Sequence, residues 1–423
     1  MAEPEAVTVS LDQFRQQAST WLAHHGQPID DATDRDEGTS TLGVAVFHSL
    51  DFDAELAVIR DAQQWCQRKA QAGYHAITEP TEFGGLGLSK EHAQAFGALE
   101  RTYRIPAGHE LFSVTTDLIA PTIAVFGDDE QKQRYVARFL SATELCCQLF
   151  SEPGAGSDLA ALGCRAVRDG DAWVVNGQKV WSSGAQFAEW GLLIARTDVN
   201  APKHRGMTAF LVPLATPGVE VRPIRQMSGG TSFNEVFFDE CRIGDHLRLG
   251  GEGDGWKVAL TTLEFERDHS DPAGASGTNR PGGTWHHLLH TAEQLGVTGD
   301  ALTRQALMDV YIHKKVEAWL NQRAADLRRG GTPGPEGSLG KLMWTEGMTK
   351  LSQVVAHLLG PRLCAQSGEP ATFEWNEHVL GAPGYRIAGG SDEVQRNIIG
   401  ERVLGLPPEP RVDKGIAWKD VPR

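Results

Sequence analysis

The stretch Gln148-Leu-Phe-Ser-Glu-Pro-Gly-Ala-Gly-Ser-Asp158 decides how this chain is read. It is a strand end that runs into a Pro-Gly-x-Gly loop and closes on Ser-Asp. Glycines there let backbone N–H groups come close to a planar or anionic ligand. The hydroxyls of Ser151 and Ser157 are placed to hydrogen-bond such a ligand. Downstream, Gln178-Lys-Val-Trp-Ser-Ser-Gly184 presents a tryptophan followed by two small hydroxyls. Trp181 is either an aromatic wall for a ring-shaped cofactor or an ordinary core residue, and the segment alone leaves both open.

Outward from this loop the hydrophobic period changes in both directions. Residues 1–140 read as helical: Leu11, Phe14, Trp21 and Leu22 fall near helical spacing. Phe52–Ala72, Lys90–Tyr103 and Asp129–Leu140 continue the pattern, with a glycine-punctuated loop at Glu79–Leu88. From Cys146 the chain turns to short strands. Asp169-Gly170 signals a hairpin, Asn176-Gly177 offers a second tight turn, and strands are expected at Gly191–Arg196, Met207–Pro213, Val219–Pro223 and Glu235–Phe238. Helical pattern returns at Lys257–Arg267, Asp300–Arg329, Leu339–Leu359 and Ser391–Leu404, the last stopped by Gly405 and Pro407-Pro408. The expected fold class is α+β, with a helical domain over 1–145, a small β-domain over 146–250 and a second helical domain over 251–423.

Composition narrows the function classes. The 423 residues carry 40 Lys+Arg against 55 Asp+Glu, a net charge of −15. That acidic balance argues against nucleic acid, whose phosphates need a basic field. No run of about 18 apolar residues exists, so no membrane span is expected. The opening MAEPEAVTVSLDQF has neither a basic start nor an apolar core, so no secretory signal is expected. Six scattered cysteines do not make a disulfide framework, which points to a reducing cytoplasm.

Several weaker patterns have plain readings. Gly251-x-Gly253-x-Gly255 lacks the strand and spacing of a dinucleotide fingerprint and reads as a strand-to-helix connector. His286 and His290 share metal-like spacing but have no third ligand, so they read as a solvated helix face. Cys146-Cys147 reads as a strand alternating between two packed faces. No metal site is expected.

Four features in order resemble the acyl-CoA dehydrogenase family over about residues 50–407. They are the Phe150–Asp158 segment, the Trp181 strand, the Gly255-Trp256 helix start, and the tail Gly389-Gly-Ser-Asp-Glu-Val-Gln-Arg-Asn-Ile-Ile-Gly-Glu-Arg-Val-Leu-Gly-Leu-Pro407. The resemblance implies an N-terminal helical domain, a barrel-like middle β-domain and a C-terminal four-helix domain, with FAD between the last two. It implies that Phe150, Ser151, Gly156 and Ser157 line the flavin rings, and that Trp181 and Ser183 pack on the other side, with Ser183 near N5. Ser391 and Glu393 match positions that reach the FAD. Ser391 stands where the family usually has Thr, and Glu393, a poor neighbour for a diphosphate, is expected elsewhere on the cofactor.

The implied activity is α,β-dehydrogenation of an acyl thioester, with a carboxylate taking the α-proton while hydride passes to flavin N5. Of the two positions that the family uses for this base, the commoner is here Gly389, which cannot serve. The other lies on the first helix after the β-domain, just before an arginine, and corresponds to Glu266 followed by Arg267. Glu264 is the rival, about 200° away on the helix, and the family pattern favours Glu266. Arg267 and Ser157 are the implied substrate contacts.

The chain departs from the family at an Arg-x-x-Phe-Gly run that binds FAD across a subunit interface, because Arg328-Arg-Gly-Gly-Thr-Pro-Gly-Pro-Glu-Gly337 lacks the phenylalanine. The implied partners are acyl-CoA or a carrier-protein-bound acyl group, an electron-transfer flavoprotein or similar acceptor, and further subunits in a homo- or hetero-oligomer. Some family members form two-chain assemblies, including some that act on sterol side chains. Two other readings stay open here: a flavin-binding, non-catalytic subunit of a heteromer, and a flavin oxidase or hydroxylase on the same fold.

Overall fold

The computed structural model describes residues 9–29, 43–269, 282–329, 334–366 and 374–422, with the side chains of 266–269, 328–329 and 374 outside the described set. The order is helical, β, helical. In the first part, side chains that prefer helix starts set the boundaries. Ser10 and Gln13 form a reciprocal capping box for the helix Leu11–His25, and Asp51 caps Phe52–Gln71 through the Ala54 N–H. Lys90–Glu100 packs on Leu11–His25, with Phe14, Leu22, Trp65 and Phe96 in one buried cluster. A helical stretch at 110–126, which the sequence pattern leaves unassigned, is interrupted by a π-helical segment at Val114–Ile119. Its run of Val114-Thr-Thr and its Pro121 hide the usual helical signature.

The β part is one eight-stranded sheet. From edge to edge the order is Arg248–Leu249, Met207–Pro213, Trp190–Arg196, Arg165–Asp169, Ala172–Lys179, Phe233–Gly244 and Val219–Ile224, and Cys146–Leu149 pairs in parallel with Trp190–Arg196. The Asp169-Gly170 hairpin forms as expected, with Gly170 at φ 66°. The expected turn at Asn176-Gly177 does not form. The strand Ala172–Lys179 runs straight through, with a bulge between Val175 and Gly177. Two long-range contacts override the local turn signal. Asn176 exchanges hydrogen bonds with Glu240 at 2.7 and 2.9 Å. At Gly177 any Cβ would lie 2.7 Å from Cys164 Cα, so the glycine serves close approach instead.

Cys146 and Cys147 alternate between two cores. Cys146 joins the cluster that holds Leu118, Ile123, Phe139 and Val258, and Cys147 joins the one that holds Ile59, Leu111, Trp173 and Phe210. Burial pushes the Cys147 thiol up to about 12, as expected of a packing residue.

After the sheet, Gly255 lets the helix Gly255–His269 start against the strand Met207–Pro213, since a Cβ there would stand 2.7 Å from Met207 C and Thr208 N. The Gly251–Gly255 stretch is thus a strand-to-helix connector. Trp285–Gln294, Ala301–Arg329, Gly337–Leu359, Glu374–Tyr385 and Asp392–Ile398 complete the C-terminal part around a core of Leu288, Val310, Leu351, Val355 and Trp375. His286 and His290 are both exposed, as a solvated face requires. Among the described residues no helix is long and apolar enough to cross a membrane.

Candidate active site

The Phe150–Asp158 loop is shaped from its two ends. At its start the backbones of Glu152 and Ala155 exchange two hydrogen bonds of 3.0 Å, which closes the Pro153-Gly154 turn. The Glu152 carboxylate accepts from Gly163 N–H at 2.6 Å, Cys164 N–H at 2.9 Å and Lys179 Nζ at 2.7 Å. Lys179 is fully buried and also donates to the Phe150 carbonyl at 2.9 Å. Val180 N–H then bonds the Ser151 carbonyl at 2.9 Å, which lays the Trp181 segment beside the loop. At the far end, Lys203 holds the Asp158 carboxylate with bonds of 2.8 and 3.0 Å.

Between those ends the loop is open. A Cβ built on Gly154 or Gly156 meets nothing within 4 Å, and Gly156 and Ser157 are exposed, while Phe150 is buried and Ser151 half-buried. Trp181 is 59% exposed and sits at φ 62°, so it is not a core residue. A left-handed backbone at a bulky residue is strained, and such strain collects at functional sites. Two buried polar atoms flanking these segments, Ser182 Oγ and Gln148 Nε2, have no hydrogen-bond partner. Open glycines, an exposed aromatic plate and unpaired polar atoms together suit a planar, hydrogen-bonding group such as a flavin.

An aromatic column links this region to the C-terminal helices. Trp181 meets Phe233 edge-on at 5.8 Å, Phe233 meets Phe47 at 5.2 Å, Phe47 stacks on Tyr385 at 5.2 Å, and Tyr385 meets Trp344 at 4.7 Å. Next to Trp344, Thr345 bonds Asp392 at 2.9 Å and Lys341 bonds the Gly390 carbonyl at 2.7 Å. Ser391 caps the helix Asp392–Ile398 by accepting from Val394 N–H at 3.3 Å, and Glu393 is exposed in its first turn. Gly389 and Gly390 take φ of 63° and 84°, a left-handed backbone that a glutamate at 389 would adopt only under strain.

On the helix Gly255–His269, Val258, Ala259 and Thr262 are fully buried, and Thr262 bonds Thr122 at 3.0 Å. Glu264 is exposed. Position 266 is four residues beyond Thr262, about 40° around the helix from it. The side chains of Glu266 and Arg267 lie outside the described residues.

Two features have no local signal in the sequence. Glu110 is exposed at the surface, yet desolvation by the protein around it raises its carboxyl against the opposing hydrogen bond of Ser183. Although its surface exposure alone would suggest an ordinary carboxylate, the surrounding protein decides the direction. Behind it, buried Glu55 accepts from His109 Nε2 at 2.9 Å and His48 Nε2 at 3.0 Å. Burial opposes its charge, but these bonds outweigh it and hold the carboxyl below its ordinary range. The three ligand atoms lie within 4.8 Å of one another, a metal-like grouping. His109 Nδ1, however, accepts from Leu111 N–H at 3.1 Å, which leaves its proton on Nε2, facing Glu55. A metal would need that lone pair free, so the cluster is a hydrogen-bonded support for the helix start. Such side chains converge from distant positions, and no local pattern announces them.

Comparison with known proteins agrees with this geometry. Family models for the acyl-CoA dehydrogenase N-terminal, middle and C-terminal domains match residues 10–143, 147–241 and 253–404. The chain belongs to the acyl-CoA dehydrogenase family. It is 36% identical to the acyl-CoA dehydrogenase IpdE1 of Mycobacterium tuberculosis over 94% of this chain and 98% of that protein. Among solved structures, the ChsE4-ChsE5 complex from Mycobacterium tuberculosis superposes with a TM-score of 0.68 at 25% identity, covering 96% of this chain and 100% of that one. A variant of the Tcur3481-Tcur3483 steroid ACAD superposes with a TM-score of 0.71 at 26% identity, over 94% and 99% of the two chains. This acyl-CoA dehydrogenase is an oxidoreductase that forms an α,β-double bond in an acyl thioester, and its family members are flavoproteins.

Proposed function

We propose that this acyl-CoA dehydrogenase binds FAD between the Phe150–Asp158 loop, the Trp181–Ser183 segment and the helix that Ser391 caps, and that Glu266 is its base. Ser151 and Ser157 hydrogen-bond the cofactor, Gly156 lets it approach the backbone, and Phe150 and Trp181 face its rings. Glu393 extends toward the cofactor away from its diphosphate. When bound, FAD supplies a hydride acceptor at N5. Glu266 takes the α-proton of the acyl thioester, and Arg267 and Ser157 contact the substrate. The observation that carries the base assignment is the pair of positions: 389 is a left-handed glycine, whereas 266 lies on the helix Gly255–His269, about 40° around it from the buried Thr262.

The domains that we infer are 1–145, 146–250 and 251–423. We also infer a multi-chain enzyme, pairing with a non-identical subunit and passing its electrons to an electron-transfer flavoprotein or similar acceptor. Met308, Ile312 and Trp319 are 47%, 56% and 68% exposed and lie within about 40° on one helix face. Val403, Leu404 and Leu406, exposed within four positions, leave further apolar surface open. Both surfaces, and the two-chain names of the similar structures, support an assembly. A cytoplasmic location accords with six free thiols.

Glu266→Gln tests the reading. The variant is expected to retain flavin while acyl thioesters no longer bleach its absorbance under anaerobic conditions. Normal bleaching would remove Glu266 from the mechanism.

A further inference from the structure

The chain does not end its structural role at the last helix. Residues beyond Pro408 return to the β-sheet and settle against the far end of the Phe150–Asp158 loop. Ala417 bridges Pro202, Trp418 N–H bonds the Ala201 carbonyl at 2.9 Å, and Lys419 N–H bonds the Val199 carbonyl at 3.1 Å. The Trp418 indole donates to the Ala161 carbonyl at 3.2 Å and lies over the Arg196 guanidinium, 5.0 Å from its ring centre.

Two linkages run from this segment into the loop. In the first, Asp413 pairs with Lys203, whose ammonium also holds both oxygens of Asp158. Lys203 is almost fully buried; burial opposes its charge, but the two aspartates outweigh it and raise the ammonium. In the second, fully buried Arg196 bonds the carbonyls of Ala160 and Lys203 at 2.7 Å each and that of Leu162 at 3.3 Å. These partners are carbonyls, and the face of Trp418 covers the charge.

In the middle of the loop Gly154 and Gly156 face open space and Ala155 between them is buried, so the shape around the glycines rests on that one anchor and on the two ends. The start is held within the sheet by Glu152 and Lys179. The end is held by the burial of Leu159, Ala160 and Leu162 in the core and, at Asp158 and the 160–162 carbonyls, through the C-terminal segment. A loop whose ends are fixed loses less conformational freedom when a ligand binds, which strengthens binding without any new contact.

We propose that Asp413 and Trp418 are positioning residues for the flavin loop: the segment 411–420 acts as a strap that presets residues 156–162 for the cofactor, without touching the cofactor itself. This inference rests on the assignment of that loop to FAD.

The test uses the full chain in its purified assembly, stripped of flavin and titrated with FAD while flavin fluorescence is followed. Asp413→Asn and Trp418→Ala are each compared with Glu409→Gln, an exposed change outside the strap, and with Asp413→Glu. The dissociation constant for FAD is expected to rise about tenfold in Asp413→Asn, the size of one lost charged contact, and by a similar factor in Trp418→Ala, which loses an indole hydrogen bond and a cation–π contact. Asp413→Glu is expected to recover most of that affinity, and Glu409→Gln to behave as the parent. The unfolding midpoint of the flavin-free protein separates positioning from general stability: it is expected to fall little in Asp413→Asn, while the increase in midpoint caused by FAD shrinks. Unchanged FAD affinity in both strap variants overturns the proposal, as does a loss of midpoint with unchanged affinity. If the parent protein binds no FAD, the flavin assignment fails and the strap falls with it.

Discussion

Replacing Lys179 by Met tests whether the ion pair at the start of the loop is a designed support. Lys179 is fully buried, and its ammonium has two bonds, 2.7 Å to Glu152 and 2.9 Å to the Phe150 carbonyl. Met preserves most of the apolar stem and removes the charge. The Glu152 carboxylate, 11% exposed, would keep its two backbone N–H donors but lose its cation. Breaking a buried pair costs about 3–5 kcal/mol, and the two retained donors place this case near about 3 kcal/mol. Glu152→Gln strands the ammonium instead and is expected to cost a similar amount. If the two charges compensate each other, the double variant loses less than the summed singles, with a coupling of about 1.5–3 kcal/mol. Urea unfolding at fixed protein and FAD concentrations measures this, provided that the slope of the transition is unchanged. Additivity to within about 0.5 kcal/mol would refute the argument.

Two further expectations concern stability. Burial pushes the fully buried His378 down to about 4, and its Nε2 donates to the Met348 carbonyl. The folded state therefore binds fewer protons than the unfolded one between about pH 6.5 and 4, so this stability is present above 6.5 and lost as the pH falls through that window. The loss is about 3 kcal/mol, and His378→Gln is expected to flatten the pH dependence of the unfolding midpoint there; an unaltered slope would count against it. Gly255→Ala sets a methyl 2.7 Å from the backbone of Met207 and Thr208, which cannot yield as a side chain would. An overpacking cost of about 1–3 kcal/mol is expected in a calorimetric or urea measurement, and an unaffected midpoint would show that the helix start moves freely.

Sequence patterns revealed a large part of this molecule for identifiable reasons. Helical spacing and turn glycines are local, so the helices at Leu11–His25 and Phe52–Gln71 and the hairpin at Gly170 were legible. The stretch at 110–126 was not, because its β-branched residues and proline obscure a helix that tertiary packing imposes. At Gly177 a strong local turn signal lost to cross-strand pairing with Phe233–Gly244. The loop residues of the candidate site were legible through their motif. Their supports were not: Glu152 and Lys179 are 27 positions apart, and Asp158 and Lys203 are 45 apart. Charge partners at such separations are chosen by the fold, so a single sequence holds no spacing that names them.

The alternation at Cys146 and Cys147 has a consequence for how the chain comes apart. One side of that strand shares a core with Phe139 and Val258, the other with Ile59 and Leu111, so three preceding helical stretches and the following helix lean on the same sheet. Segments matched to separate family models at 143 and 147, or at 241 and 253, are therefore joined through common side-chain cores. Their borders are not borders between separate cores. A protease cut or a deletion placed at one of them would not release a self-standing module, because each piece would carry away half of a shared interior.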